Sequence, residues 1–387
     1  MGWTILLDGD AAAPQQARLG AALASRGHRV IVLDAPRVAD QIRGEFHGQC
    51  EELRAPPPWI PPLRAFWLRR QVQRLGVDIV HLNFIRPKQR VWADMPGGPP
   101  YIATAWGSDL NRDVFKRSAR YEAAVNAILQ GSSAITADSW PLLRLAEQRL
   151  GLRKPPMELV LWSVDMAAFD RQLVQPLADR FRGELKIPPG AKVLLSPRQP
   201  KPHYHIERIV QAFAQSKWAR QGVLVQKLHG REGEDSYLQD VQALARRLGV
   251  QDRLILAPRL AYDELAGLYA MADAAISVPM ADGVPSTFLE LMALQVPIIA
   301  GDLPAYHGVL VHGERALLAP PDDPTALALA LDRLVDEPLL STSLAANAKR
   351  WADEHASWSH AVDQWLGHYQ VAIGDRGSGA QGRSNPP

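Results

Sequence analysis

Short apolar runs alternate with longer stretches of helical spacing along this 387-residue chain, and the alternation occurs twice. In the first half the runs fall at 4–7, 30–33, 79–82, 101–105, 134–137 and 159–161. In the second they fall at 193–196, 223–228, 254–257, 274–278, 298–300 and 316–319. Runs of this length bounded by turn residues predict strands. Helical periodicity covers 16–26, 206–215, 237–248, 262–271 and 288–294. Strands that alternate with helices build parallel sheets through right-handed crossovers, so the expected fold class is α/β with two Rossmann-like parallel-sheet domains.

The rhythm breaks at 169–190, a polar stretch closing on Ile187-Pro188-Pro189-Gly190, which reads as a linker. Domains are therefore expected at 1–168 and 191–353. Two open sheets facing each other would bring the loops at the carboxyl ends of both strand sets onto one interdomain cleft. Residues 374–387, rich in glycine, serine and proline, have nothing to pack and are expected to be disordered.

Charge narrows the partners. Lysine and arginine number 43 against 41 acids, a net charge of +2, which argues against nucleic acid as the main ligand. The single cysteine, Cys50, excludes an internal disulfide framework and a thiolate metal cluster. The start of the chain lacks the marks of a signal peptide, and no apolar window of about eighteen residues predicts a membrane span. A cytoplasmic protein is expected. Residues 54–74 mix Trp59, Ile60, Phe66 and Trp67 with Arg64, Arg69, Arg70 and Arg74. That mixture suits peripheral contact with anionic lipid headgroups, and equally an amphipathic helix packed on the sheet with its arginines in water.

The most informative segment runs from Val278 through Asp282, Gly283, Val284, Pro285, Ser286 and Thr287 to Glu290 and Ala293: a strand, a small-residue turn and a helix. Gly283 admits unusual backbone angles, and Ser286 or Thr287 is placed to cap the helix. A helix start attracts phosphate. Glu290, one turn inside, could reach ribose hydroxyls, and Asp282 could accept hydrogen bonds from a sugar. The same spacing also fits a plain capped helix with solvated acids.

The segment resembles the Glu-to-Glu motif of glycosyltransferase family 4, with Asp282 in place of the first glutamate. Further resemblances are Trp106-Gly107-Ser108-Asp109 to the acceptor-side Gly-Ser-Asp loop, Val164-Asp165 to the interdomain turn, and Ala272-Asp273 to the pair preceding the Glu-to-Glu strand. Together they span residues 2–369. The resemblance implies the GT-B fold, a final helix at 354–373 returning to the first domain, and retaining transfer of a sugar from a UDP- or GDP-linked donor to a hydroxyl of a sugar or lipid-linked acceptor, in glycolipid or polysaccharide synthesis. Two alternatives stay open: a degenerate partner subunit that only binds sugar nucleotide, and an epimerase or phosphorylase on the same fold.

Residue by residue, the resemblance implies that Asp282 holds the donor sugar, that residues Gly283 to Thr287 meet the diphosphate, and that Glu290 binds the ribose. Arg198 and Lys201 resemble the family's cationic pair, which offsets charge on the departing phosphate. The usual Lys-Gly position is Tyr204-His205 here. Main-chain groups around Arg259 and Leu260 would meet the base, and Gly9 would approach the diphosphate. Asp109 is placed to take the proton of an acceptor hydroxyl, or else to cap a helix at 111–118. His81 resembles an acceptor-side histidine and also suits a core position. No cofactor and no metal are expected. Asp8 and Asp10, or His203 and His205, are the weak metal candidates.

Overall fold

The computed structural model describes residues 2–9, 14–33, 49–56, 60–111, 116–152, 154–228 and 236–381. The chain forms two compact units, Met1–Trp162 joined by Trp358–Pro387, and Ser163–Ser357. Among the described residues no helix is long and apolar enough to cross a membrane.

The first unit holds β1 (Thr4–Asp8), β2 (Arg29–Leu33), β3 (Glu51–Leu53), β4 (Ile79–Asn83), β5 (Tyr101–Ala105), β6 (Ala134–Ala137) and β7 (Met157–Leu159). They lie in the order β3-β2-β1-β4-β5-β6-β7 with every pairing parallel. Alternate residues serve opposite faces. Ile5, Leu7, Val30 and Val32 enter one apolar cluster, whereas Leu6, Ile31, Leu33 and Leu82 enter the other. Burial on both faces is why these strands read as unbroken apolar runs. β3 has no such signal, because it is an edge strand of two glutamates and a leucine, tied to β2 by Arg29 Nε and Glu51 at 2.7 Å.

The second unit holds β8 (Lys192–Ser196), β9 (Gly222–Lys227), β10 (Leu254–Ala257), β11 (Ala274–Ser277), β12 (Ile298–Gly301) and β13 (Leu317–Ala319), in the parallel order β10-β9-β8-β11-β12-β13. Asp273 pins the start of β11 to β8 by accepting the Val193 amide at 2.7 Å. The stretch expected to be a linker contains the helix Arg171–Glu184. Asp170 caps it, accepting the Gln172 amide at 2.8 Å. It packs on the helix Tyr262–Ala270 so closely that a Cβ on Gly267 would overlap Leu177. Its polar composition concealed it, because Ala178 and Phe181 are its buried residues.

The final helix expected at 354–373 falls across two helices, Pro338–His355 and Trp358–Gln381. The break at Ala356 and Ser357 is held by Val164, whose amide donates to Ala356 O at 2.9 Å. The last helix continues through the stretch expected to be disordered as far as Gln381, and 382–387 lie outside the described residues. It lies on the first unit, with Trp365 and Tyr369 fully buried against Ile79 and Ile102.

A buried polar chain fastens this helix to the sheet. The Tyr369 hydroxyl lies 2.6 Å from His81 Nδ1, His81 Nε2 is 2.7 Å from Thr104 Oγ1, and Thr104 meets Thr136 at 2.6 Å. Burial, with His368 nearby, pushes the His81 imidazole down to about 3, so it is neutral when folded. An unfolded histidine titrates near 6.5, so the unfolded state binds more protons below that pH and the His81 contribution is lost on acidification. Between about pH 7.5 and about pH 5 this group alone is expected to cost about 2 kcal/mol of unfolding free energy. Urea titrations of wild type and His81→Gln at both pH values check this. An unchanged pH slope in the variant would remove His81 as the source.

Candidate active site

β8 and β11 are neighbours, but the chain leaves β8 for β9 on one side and β11 for β12 on the other. Their loops diverge and open a crevice at the carboxyl ends, the position where sheets of this kind bind ligands. Arg198 follows β8 and Asp282 follows β11. The Arg198 guanidinium meets Asp282 Oδ2 at 2.9 Å, donates to the Tyr204 hydroxyl at 2.8 Å, and lies over the Tyr204 ring at 4.4 Å from its centre. The Tyr306 hydroxyl donates to Asp282 Oδ2 at 3.3 Å. Burial pushes the Asp282 carboxyl up while Arg198 pulls it down. Burial also works against the guanidinium, yet Asp282, Tyr204 and Tyr306 hold it above its ordinary value. The two loops are stitched by Met280, whose amide donates to His203 O at 2.8 Å.

The helix Ser286–Ala293 begins on this crevice. Pro285, not Ser286 or Thr287, occupies the capping position, and it has no side chain to cap with. The first amides are left for an anion, which the helix dipole also favours. Gly283 takes no left-handed φ; its contribution is an amide that hydrogen-bonds Asp282. One turn into the helix, Glu290 is buried and its Oε1 accepts from the Tyr262 hydroxyl at 3.2 Å.

A residue missed from sequence is Lys227, half-buried at the end of β9. Burial pushes its ammonium down; Glu290 raises it and Arg198 lowers it further, so all three charges share one electrostatic neighbourhood. The adjacent Gln226 donates from Nε2 to Arg198 O and to Lys227 O, both at 2.7 Å. A Gln-Lys pair inside an apolar run was the available signal. Lys201 is exposed, and Tyr204 instead stacks on Arg198. Arg259 is exposed and Leu260 half-buried on the loop after the edge strand β10.

The remaining candidates belong to the first unit. Asp109 is buried and accepts the amides of Ile85 at 3.0 Å, Trp106 at 3.1 Å and Gly107 at 2.9 Å. Burial pushes its carboxyl up and those amides pull it down. It organises the loops after β4 and β5 rather than standing free as a base. Of the helix that it was expected to cap, at 111–118, residues 112–115 lie outside the described residues; the next helix is Ala119–Gly131, with Ser118 as its cap. Trp106 packs edge-on to Trp162 at 4.8 Å, Gly107 has φ 113°, and half-buried Ser108 accepts Arg117 through its carbonyl. His81 sits in the core with both ring nitrogens bonded.

Gly9 closes the β1/β4 crossing: a Cβ there would stand 2.7 Å from Asn83 O and 2.8 Å from Asn83 Cβ. Of the weak metal candidates, Asp8 is buried and accepts from Trp92 at 2.7 Å, and Asp10 lies outside the described residues. His205 takes φ 49° and bonds Glu207 at 2.9 Å. Among the described residues no group of three or more such side chains is placed to hold a metal ion.

Two parallel-sheet units, one carrying an arginine–carboxylate crevice beside an open helix start, define the GT-B glycosyltransferase class. Residues 16–167 match the family model for glycosyltransferase family 4, and 178–351 match that for glycosyl transferases group 1. The chain belongs to glycosyltransferase family 4. A D-inositol 3-phosphate glycosyltransferase of Kineococcus radiotolerans is 30% identical over 226 residues, 55% of this chain, and the match spans about half (51%) of that relative's length. In fold, the chain matches a sucrose-phosphate synthase of Thermosynechococcus elongatus at TM-score 0.80 and 19% identity, over 96% of this chain and all (100%) of that one. Anabaena HepE in complex with UDP matches at TM-score 0.80 and 17% identity, over 95% and 98%.

Removing one member of a largely shielded ion pair, whose side chains are 12% and 17% exposed, strands the other. Arg198→Ala is expected to lower unfolding stability by about 3 kcal/mol, and Arg198→Ala with Asp282→Ala by less than the sum of the single losses. Urea denaturation of the four species checks this, and strict additivity would mean the pair is not coupled.

Proposed function

We propose that this protein transfers a sugar from a UDP- or GDP-linked donor to a hydroxyl acceptor, with retention at the anomeric carbon. The observation that carries the reading is the meeting of Arg198, Asp282 and the uncapped start of the helix Ser286–Ala293 at the β8/β11 crossing. Breaking the sugar–phosphate bond builds negative charge on the diphosphate. The Arg198 fork and the free helix amides stabilise that charge as it forms, with Lys227 supplying the second cation in place of exposed Lys201. Asp282 accepts hydroxyls of the donor sugar and Glu290 those of the ribose.

Asp109 already accepts several amides, so the acceptor proton passes to the departing phosphate, consistent with attack on the face from which the phosphate leaves. Water exclusion around the donor suppresses its hydrolysis. Anabaena HepE, solved with UDP and with UDP-glucose, places uridine first among the bases to try. The same proposal takes the enzyme as cytoplasmic and metal-independent. It also includes a lipid-linked acceptor approached through residues 54–74, where Leu63 and Phe66 stand exposed beside Arg69 and Arg70.

Thermal stabilisation by UDP, GDP, ADP, CMP and their sugars tests the donor. One nucleotide at about a hundred times its Kd should add about 2.7 kcal/mol, and Glu290→Ala should lose the effect. No shift with any nucleotide sinks the reading in favour of a partner without donor chemistry. Lys227→Met is expected to weaken donor binding about tenfold, the cost of one charge-assisted contact; unchanged affinity would return that role to Lys201. Product formed from donor alone would favour epimerisation, sugar phosphate formed with added phosphate would favour phosphorolysis, and an inverted anomer by NMR would exclude retention.

A further inference from the structure

A cavity of 670 Å³ opens in the first unit between the helix Pro61–Leu75, the segment 87–96 and the helix Ala119–Gly131. In a parallel sheet each crossover helix begins at the carboxyl ends of the strands. Arg64 and Arg120 lie in the first turns of these two helices, Arg69 lies near the middle of its helix, and Lys88 lies in the loop after β4. The cavity therefore opens on the carboxyl side of the sheet. Lys88 Nζ also stands 3.9 Å from Asp8 Oδ1 at the end of β1, which sets the cavity beside the β1/β4 crossing where the strand order reverses.

Its charge is one-sided. Arg64, Arg69, Lys88, Arg90 and Arg120 face a single lining acid, Asp94. That acid is already engaged by Arg90 at 2.9 Å. Arg64 is 3% exposed and held by Pro56 O at 2.8 Å, so a guanidinium is built into the wall. Arg69 and Arg120 are exposed and have no ion pair among the described residues. Such an excess of positive charge in a concave, low-dielectric site concentrates anions. Cations converging from three elements suit a phosphate, which accepts from several directions, better than a carboxylate. The volume exceeds what a bare phosphate fills, and Phe66 adds an apolar wall for the rest of a ligand.

We propose that this cavity holds a phosphate group of the acceptor, so that the acceptor is a phosphate ester rather than a neutral sugar. The assignment to the acceptor rests on the transferase reading above. The phosphate belongs either to a soluble ester or to a lipid headgroup, and the test separates them.

Binding to the full chain is measured by calorimetry with glycerol phosphate, with phosphatidylcholine vesicles containing phosphatidic acid, and with glycerol and plain phosphatidylcholine vesicles as phosphate-free controls. Nucleotide response is followed in parallel. A phosphate probe should bind where its control does not, and Arg69→Glu combined with Arg120→Glu should weaken it at least about tenfold while the nucleotide response persists. Binding of glycerol phosphate assigns a soluble ester; binding of the doped vesicles alone assigns a lipid phosphate. A chain that responds to nucleotide but binds neither probe, or a double variant that binds like wild type, overturns the proposal. Phosphate binding lost only in Arg198→Ala overturns it too, by placing the anion in the second unit. Phosphate binding without any nucleotide response overturns the acceptor assignment, because the transferase reading beneath it has failed.

Discussion

The ion pair between Arg198 and Asp282 is the constraint on which the second unit's site depends. Two strands that lie side by side send their chains in opposite directions, and the loops would part without a tie across the opening. A guanidinium and a carboxylate at 2.9 Å supply that tie. Neither charge is tolerable there alone, because burial penalises each and the partner offsets it. The pair therefore fixes register between loops as well as charge. The backbone bond between Met280 and His203 and the Gln226 amide under Arg198 reinforce the same geometry.

The site draws its charge from rigid parts of the sheet. A loop lysine such as Lys201 reaches a ligand by ordering a long flexible side chain. Lys227 is instead half-buried at a strand end, and its stem is positioned by the ladder between β9 and β10. Tyr204, standing where the family has lysine, gives no cation but locks the Arg198 plane by stacking and a hydrogen bond. That arrangement exchanges a mobile second charge for a preorganised first one.

The first unit repeats the topology and uses its polar residues differently. At its strand crossing Gly9 is pressed against Asn83, and Asp8 turns inward to Trp92. Asp109 spends its oxygens on three loop amides, and His81 joins the sheet to the final helix. The polar groups with the strongest resemblance to acceptor chemistry thus hold the scaffold, while an excess of cationic side chains lines the cavity beside them.

Eleven apolar strands were legible in the sequence because a parallel sheet buries both faces and leaves no polar alternation to blur them, whereas the run at 159–161 meets the half-buried edge strand β7 only at Leu159. The Asp282-to-Glu290 turn was legible as well, since its chemistry lies within one strand–turn–helix. Edge strand β3 and the helix Arg171–Glu184 were not, because each buries too little to mark its residues. Hydrogen-bond partners were hidden further still. Asp109 meets Ile85 across 24 residues and His81 meets Tyr369 across 288. The order of residues by itself determined the two-sheet architecture and the acids and arginine of the crevice. Only tertiary structure decided that Lys227 lies within electrostatic reach of Arg198 and Glu290, that Asp109 and His81 face inward, and that arginines from separate elements converge on one cavity, because strand order and helix packing bring together side chains that local periodicity cannot relate.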